Sequence, residues 1–349
     1  MKTAKKIVIV VIVCLLAMEV MLRISGVFKT SSEKQGKGYI SNYGEIKPTW
    51  YKNHKAYDSF VPPSADFKYP YLTNKFGLRE KDHSTYRPDS VYRILITGNS
   101  YVEGSGAPYD STWPRLLEDA LRSRKINAEV IDAGLAGNDI LFDYVYYRDK
   151  LNDYYHPDLV IGTMNSSDYV YYTFRGGMER FYPDSTTHYL PIPWYDNLFR
   201  YSHLFRAILA ISQFPIEGTM VSRSNYEHTV EQATEVFGTE INNYRNEATK
   251  NNARFVCIFY PKIQDMRYDW FLKISIQNFN RLSQILQKDS IEHFSLFNSF
   301  TAKFSGIPEK EYSYPNNGHY RPAGYLVMAG LTADSLIASG VIDSTAFKK

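Results

Sequence analysis

Five short apolar runs mark the last three quarters of the chain, at 92–97, 128–132, 158–162, 254–260 and 293–297. Each is bounded on at least one side by Gly, Asn, Asp or Pro, the pattern of strands that end in turns. In the first run Ile94, Leu95 and Ile96 are continuous rather than alternating, which suits a strand buried on both faces. Between the runs the apolar period lengthens to that of a helix. Leu116, Leu117, Ala120 and Leu121 predict a helix over 113–124, and Ile140, Tyr144, Tyr147 and Leu151 another over 140–152. Three more are predicted over 226–250, 269–287 and 322–339. Strands alternating with helices imply an α/β fold, a three-layer flavodoxin-like arrangement around a parallel sheet of about five strands. Residues 166–224 follow neither period and read as an irregular insertion.

The N-terminus has a different pattern. Lys2, Lys5 and Lys6 precede the apolar run from Ile7 to Met18, which continues past Glu19 through Val20, Met21 and Leu22. A cleaved secretory signal and an uncleaved signal anchor both begin this way. Length, flanks and the want of a clean small-x-small cleavage site favour the anchor. The basic flank places the N-terminus in the cytoplasm and the rest of the chain across the membrane. Glu19 and Arg23, four residues apart, can pair near the outer end of such a helix. The expected organisation is a cytoplasmic basic tail over 1–6, a transmembrane anchor over 7–28, a tether and N-terminal extension over 29–90, and a main domain over 91–345 carrying the insertion. Within the extension, Arg79 in Asn74-Lys75-Phe76-Gly77-Leu78-Arg79 reads as a surface charge beside a turn, or as a clamp on the main domain.

Composition excludes more than it identifies. A net charge of +3 over 349 residues gives no electrostatic footprint for nucleic acid. Cys14 and Cys257 are too differently placed to pair. No His, Cys or Asp cluster has metal-ligand spacing, and no phosphate-binding or dinucleotide-binding glycine pattern is present, so neither a metal nor a cofactor is expected. The 30 tyrosines admit two readings, core filling or a surface on which sugar rings stack.

The candidate chemistry begins where the first strand ends. In Thr97-Gly98-Asn99-Ser100, two residues that tolerate tight backbone deliver a serine to the carboxyl edge of the sheet, the usual crevice of an open α/β fold. A serine there is a candidate nucleophile, although a helix cap is the plain alternative. A base candidate is His319, in the turn-rich run Tyr314-Pro315-Asn316-Asn317-Gly318-His319 that precedes the last helix. Sequence distance is no obstacle, since such pairs meet only in the fold.

These residues resemble the blocks of the SGNH hydrolases, the GDSL esterase and lipase family, in a membrane-anchored bacterial form. Gly98-Asn99-Ser100 resembles the first block, with Asn in place of the usual Asp. Gly137 in Gly134-Leu135-Ala136-Gly137-Asn138 resembles the second, Asn165 the third, and Asn316 with His319 the Asp-x-x-His of the last. The resemblance implies a serine ester hydrolase with Ser100 as nucleophile, His319 as base and Asn316 in the place of the family acid. It implies an oxyanion hole made by Ser100, Gly137 and Asn165. An amide at 316 leaves a Ser-His dyad, a borrowed acid or a slow enzyme as alternatives; Asp168 is the nearby carboxylate, read first as a solvated loop residue. In the insertion, Arg175 and Arg180 beside Gly176-Gly177 are candidate substrate contacts, against the plain reading of a surface pair with Glu179. The expected substrate is a small ester or an acylated carbohydrate, with O-acetyl removal from extracellular or cell-surface glycans foremost. A carbohydrate O-acetyltransferase and a non-catalytic glycan-binding or assembly protein on the same scaffold stay open. The expected location is a bacterial inner membrane, single-pass, with the main domain on the periplasmic side and no nucleic-acid partner.

Overall fold

The structure, a computed structural model, describes residues 2–29, 46–48, 55–62, 64, 66–212, 223–267 and 269–342. The main elements in chain order are helix α1 (Lys2–Ser25), strand β1 (Tyr92–Gly98), α2 (Trp113–Ser123), β2 (Ala128–Gly134), α3 (Ile140–Tyr146), β3 (Leu159–Met164) and α4 (Ser166–Arg175). There follow α5 (Asp196–Tyr201), α6 (His203–Ser212), α7 (Arg223–Lys250), β4 (Arg254–Phe259), α8 (Asp269–Lys288), β5 (His293–Ser295) and α9 (Pro322–Ala338). They form two compact units, one of residues 1–48 with 170–233, the other of 49–169 with 234–349.

The larger unit is the α/β domain. Its five strands are all parallel in the order β2-β1-β3-β4-β5. That order is flavodoxin-like, with the crevice expected where β1 and β3 part at their carboxyl ends. Successive residues of β1 serve opposite faces. Ile94 and Ile96 join Trp113 and Leu117 of α2 and Met328 and Leu336 of α9 in one core, where the Trp113 indole donates to Thr332 Oγ1 at 3.2 Å. The opposite face meets α7 and α8 through rings: Tyr244 on Phe255 at 4.7 Å and Phe279 on Phe259 at 4.8 Å between centroids. The helix after β2 is regular only to Tyr146; Tyr147–Leu151 form a π turn before Asn152–Tyr155 complete it. Tyr71, Tyr147, Tyr155, Tyr169, Tyr244 and Tyr260 are all essentially buried, so much of the tyrosine content fills the core.

The smaller unit is the part with the weakest pattern in the sequence. The insertion does not stand by itself: Ile46–Pro48 pairs antiparallel with Thr186–His188, Ile46 opposite His188. Of the expected tether and extension over 29–90, residues 30–45 and 49–54 lie outside the described residues. Phe174 and Phe199 form a small core with Phe205 and Leu209 of α6 packed on it. Arg175 and Arg180 are buried here. The Arg175 guanidinium lies 3.9 Å from the Tyr171 ring centre, and Arg180 Nη1 donates to the Gly176 carbonyl at 3.0 Å. Both are therefore packing residues of this unit and not an exposed substrate clamp, and Glu179 accepts from the Gly177 N–H rather than forming a surface pair. Thr3–Ser25 is long and apolar enough to cross a membrane.

Candidate active site

The end of β1 is built so tightly that only glycine fits. A Cβ on Gly98 would stand 2.1 Å from Thr163 Oγ1 on β3 and 2.6 Å from Val102 Cγ2. The chain therefore turns at Gly98, and Asn99 fixes the shape of that turn. Its carbonyl accepts the N–H groups of Val102 and Glu103, and its side-chain oxygen accepts from the Tyr101 N–H at 3.1 Å and the Tyr260 hydroxyl at 2.9 Å. Arg79 holds the far side of this loop: Nη1 donates to the carbonyls of Glu103 and Gly104, Nη2 to that of Ala107, and the guanidinium lies 3.7 Å from the Tyr71 ring centre. Arg79 is thus a buried clamp, not a surface charge.

On this turn Ser100 is half-exposed, and its Oγ lies 2.7 Å from His319 Nε2. The two residues are 219 positions apart, and the loop before α9 brings them together. Tyr314 donates its N–H to the His319 carbonyl, and Gly318, at φ +74°, donates to the Tyr314 carbonyl. The imidazole packs against Tyr101 at 4.9 Å between ring centres, and the Tyr101 hydroxyl donates to the Gly318 carbonyl at 2.7 Å.

The other imidazole nitrogen departs from expectation. His319 Nδ1 is hydrogen-bonded to the side-chain oxygen of Asn317, not to Asn316. The tight turn brings position 317 beside the ring and sends 316 outward, where its amide donates to Asp66 Oδ1 at 2.9 Å. Asp66 Oδ2 accepts the Asn317 backbone N–H at 2.7 Å. A carboxylate from the N-terminal extension thus grips the turn without touching the imidazole. Burial, with no carboxylate on the ring, pushes His319 down to about 4.

The remaining candidates sit at the same edge of the sheet. Gly137 has φ +80°, and its N–H and that of Ser100 have no protein acceptor among the described residues. Asn165 is completely buried; its amide donates to the Tyr260 hydroxyl at 2.7 Å, and its side-chain oxygen accepts the Ser167 N–H. Asp168 is also buried, accepting the N–H groups of Asn165 and Ile140 at 2.9 Å each. It ties the end of β3 to the start of α3 and is neither solvated nor a partner of His319. Asn317 stands one residue from a position the sequence marked. Asp66 and Tyr260 carry no local signal, since their partners are far along the chain.

A scan against protein-family models finds no match, and no curated protein matches the chain. Solved structures similar to it include esterases and lipases. The psychrotrophic esterase EstA from Pseudoalteromonas sp. is 14% identical, with 72% of this chain and 99% of that one covered at a TM-score of 0.42. A catalytic mutant of an acetylxylan esterase from Geobacillus stearothermophilus is 10% identical, covering 70% and 94% at 0.45. A protein described as a GDSL-like lipase from Parabacteroides merdae is 12% identical, covering 74% and 100% at 0.45.

Proposed function

We propose that the protein is a serine ester hydrolase in which Ser100 is the nucleophile and His319 the base. The observation that carries this is the 2.7 Å contact between Ser100 Oγ and His319 Nε2 at the carboxyl edge of the sheet. The Asn317 side-chain oxygen accepts from Nδ1–H, so the lone pair of Nε2 faces the serine hydroxyl. In acylation, Oγ attacks the ester carbonyl while Nε2 takes its proton, then returns that proton to the departing alkoxide. Water, activated by the same imidazole, then releases the acid. The oxyanion is met by the N–H groups of Ser100 and Gly137. Asn165, expected as a third donor, shapes the hole from behind through Tyr260 and Asn99.

Because no carboxylate faces the imidazole, the site works as a dyad, and its pH dependence is displaced. A base is competent when neutral. With His319 down at about 4, kcat/KM for p-nitrophenyl acetate is expected to hold level from pH 8 to about 5 and fall below that. An acid limb near the ordinary histidine value of about 6.5 would contradict this environment. The same shift means the unfolded chain takes the proton first. This group's contribution to stability is therefore complete above about pH 6.5 and is lost as the pH falls toward the folded value.

Asp66 acts as a positioning residue. Asp66→Ala removes both bonds that hold the Asn316-Asn317 turn. Misplacement of a base lowers kcat with little change in KM, here by about tenfold. Asp66→Asn, which keeps one acceptor, should recover part of the loss. Steady-state kinetics on the three proteins, with melting temperatures to verify the fold, make the test.

The finer reading is removal of O-acetyl groups from extracellular or cell-surface carbohydrate by a membrane-anchored enzyme. Three N-terminal lysines support a cytoplasmic N-terminus, a single span over Thr3–Ser25, and a catalytic domain on the periplasmic side of a bacterial inner membrane. Acetate release from acetylated oligosaccharides, set against simple acetate esters, tests the substrate. Appearance of acetyl on an added sugar instead of in water would mark a transferase using the same site. The amide at Asn317 favours the second reading, a glycan-binding scaffold without turnover, which would leave Ser100 unreactive.

A further inference from the structure

The smaller unit presents apolar side chains outward in one stretch of chain. Ile192 is 53% exposed, Trp194 86%, Tyr201 68% and Ile211 85%. Helix α6 is apolar on two sides. Phe205 and Leu209 pack inward on the Phe174–Phe199 core. Leu204, Ile208 and Ile211, at i, i+4 and i+7, form a second stripe on which Ile208 and Ile211 are exposed. From residue 186 to 212 the sole carboxylate is Asp196, which is buried and paired with Arg200 at 3.3 Å, and there is no lysine. So apolar a surface requires a cover.

Its attachment to α1 identifies the cover. Glu19 of α1 caps α6: its carboxylate accepts from the Ser202 hydroxyl at 2.9 Å and from the N–H groups of His203 and Leu204 at 3.0 and 2.7 Å. Arg23 bridges the same junction, donating to Glu19 at 2.8 Å and to the Tyr201 carbonyl at 2.6 Å. Glu19 lies six residues before the end of the apolar span Thr3–Ser25, about 9 Å inside it at 1.5 Å per residue. Because these bonds are direct, the first turn of α6 shares that depth. Helices lying in the membrane interface are buried about 5–10 Å into the headgroup and acyl boundary. Trp and Tyr beside such a helix are the side chains that prefer that zone.

We propose that α6 and the Ile192–Tyr201 stretch form a lipid-facing collar, lying in the outer interface of the bilayer around the end of α1. The proposal rests on α1 spanning the membrane. The collar gives Glu19 and Arg23 partners at a depth where unpaired charges are costly. It also fixes the smaller unit to the membrane directly.

The full-length chain, with Cys14→Ser to remove the exposed thiol, provides the test; Cys257 is buried and stays unlabelled. Ile211→Cys and, separately, Leu16→Cys are labelled with a bimane and reconstituted in phosphatidylcholine vesicles. Both replaced side chains are exposed, at 85% and 61%, so folding does not depend on them. Phosphatidylcholine brominated near the headgroup end of its acyl chains should lower bimane emission at 211 by about twofold or more relative to unbrominated lipid, as depth in the interface requires. Brominated lipid should also quench at 16. Quenching at 16 without quenching at 211 overturns the collar and leaves the anchor intact. Quenching at neither position overturns the anchor, and the collar with it.

Discussion

Replacing Ser100 with alanine is expected to lower kcat for an acetate ester by about ten-thousand-fold, leaving the residual rate that binding and the oxyanion hole alone supply. His319→Ala should cost about as much, because the hydroxyl at 2.7 Å is then without its proton acceptor. The double replacement should be scarcely worse than either, since the two act as one unit. Ser100 is half-exposed at the mouth of a turn held by Asn99 and Arg79, so the fold should survive its loss. Turnover of Ser100→Ala within tenfold of the unmodified protein would remove the nucleophile from the proposed mechanism.

The second large effect runs the other way. Asn317→Asp places a carboxylate on His319 Nδ1, where the native chain has an amide. An adjacent opposite charge raises such a pKa by about one to three units. The acid limb of kcat/KM should therefore move from about 4 to between roughly 5 and 7. A hydrogen bond to a charged group is stronger than a neutral one by about 1–1.5 kcal/mol, so stabilising the imidazolium should raise kcat at pH 8 by about tenfold. Asn316→Asp is the comparison that separates the two asparagines. It sets a second carboxylate against Asp66, in place of a donor at 2.9 Å, and should lower kcat severalfold. If Asn316→Asp were the activating change and Asn317→Asp the damaging one, the assignment of the imidazole partner would be reversed.

The contrast between those asparagines shows how far the sequence can be read. The sheet was legible because Ile94-Leu95-Ile96, and the comparable runs on the other strands, encode burial locally. Ser100 was marked as a candidate by the turn residues that end β1, and His319 by the turn-rich run before α9. Which asparagine meets the imidazole depends on a turn closed by bonds from Tyr314 and Gly318, and counting residues does not reveal that. Asp66 stands 250 residues from its partner, and Asn165 turns inward because Tyr260 takes its amide. Such contacts are set by tertiary packing, which leaves no period in the chain. The smaller unit was the least legible part: its core joins distant segments, and Glu19, which pairs with Arg23 as their spacing predicts, also caps α6, a contact that no spacing reveals.

In the proposed mechanism one hydroxyl, that of Ser100, is made nucleophilic by one neutral imidazole, that of His319. Reaction with a fluorophosphonate, followed by peptide mass mapping, examines it directly. The expected result is a single adduct on Ser100 that disappears in His319→Ala. An adduct on another residue, or ester turnover by a chain whose Ser100 stays unmodified, would contradict it.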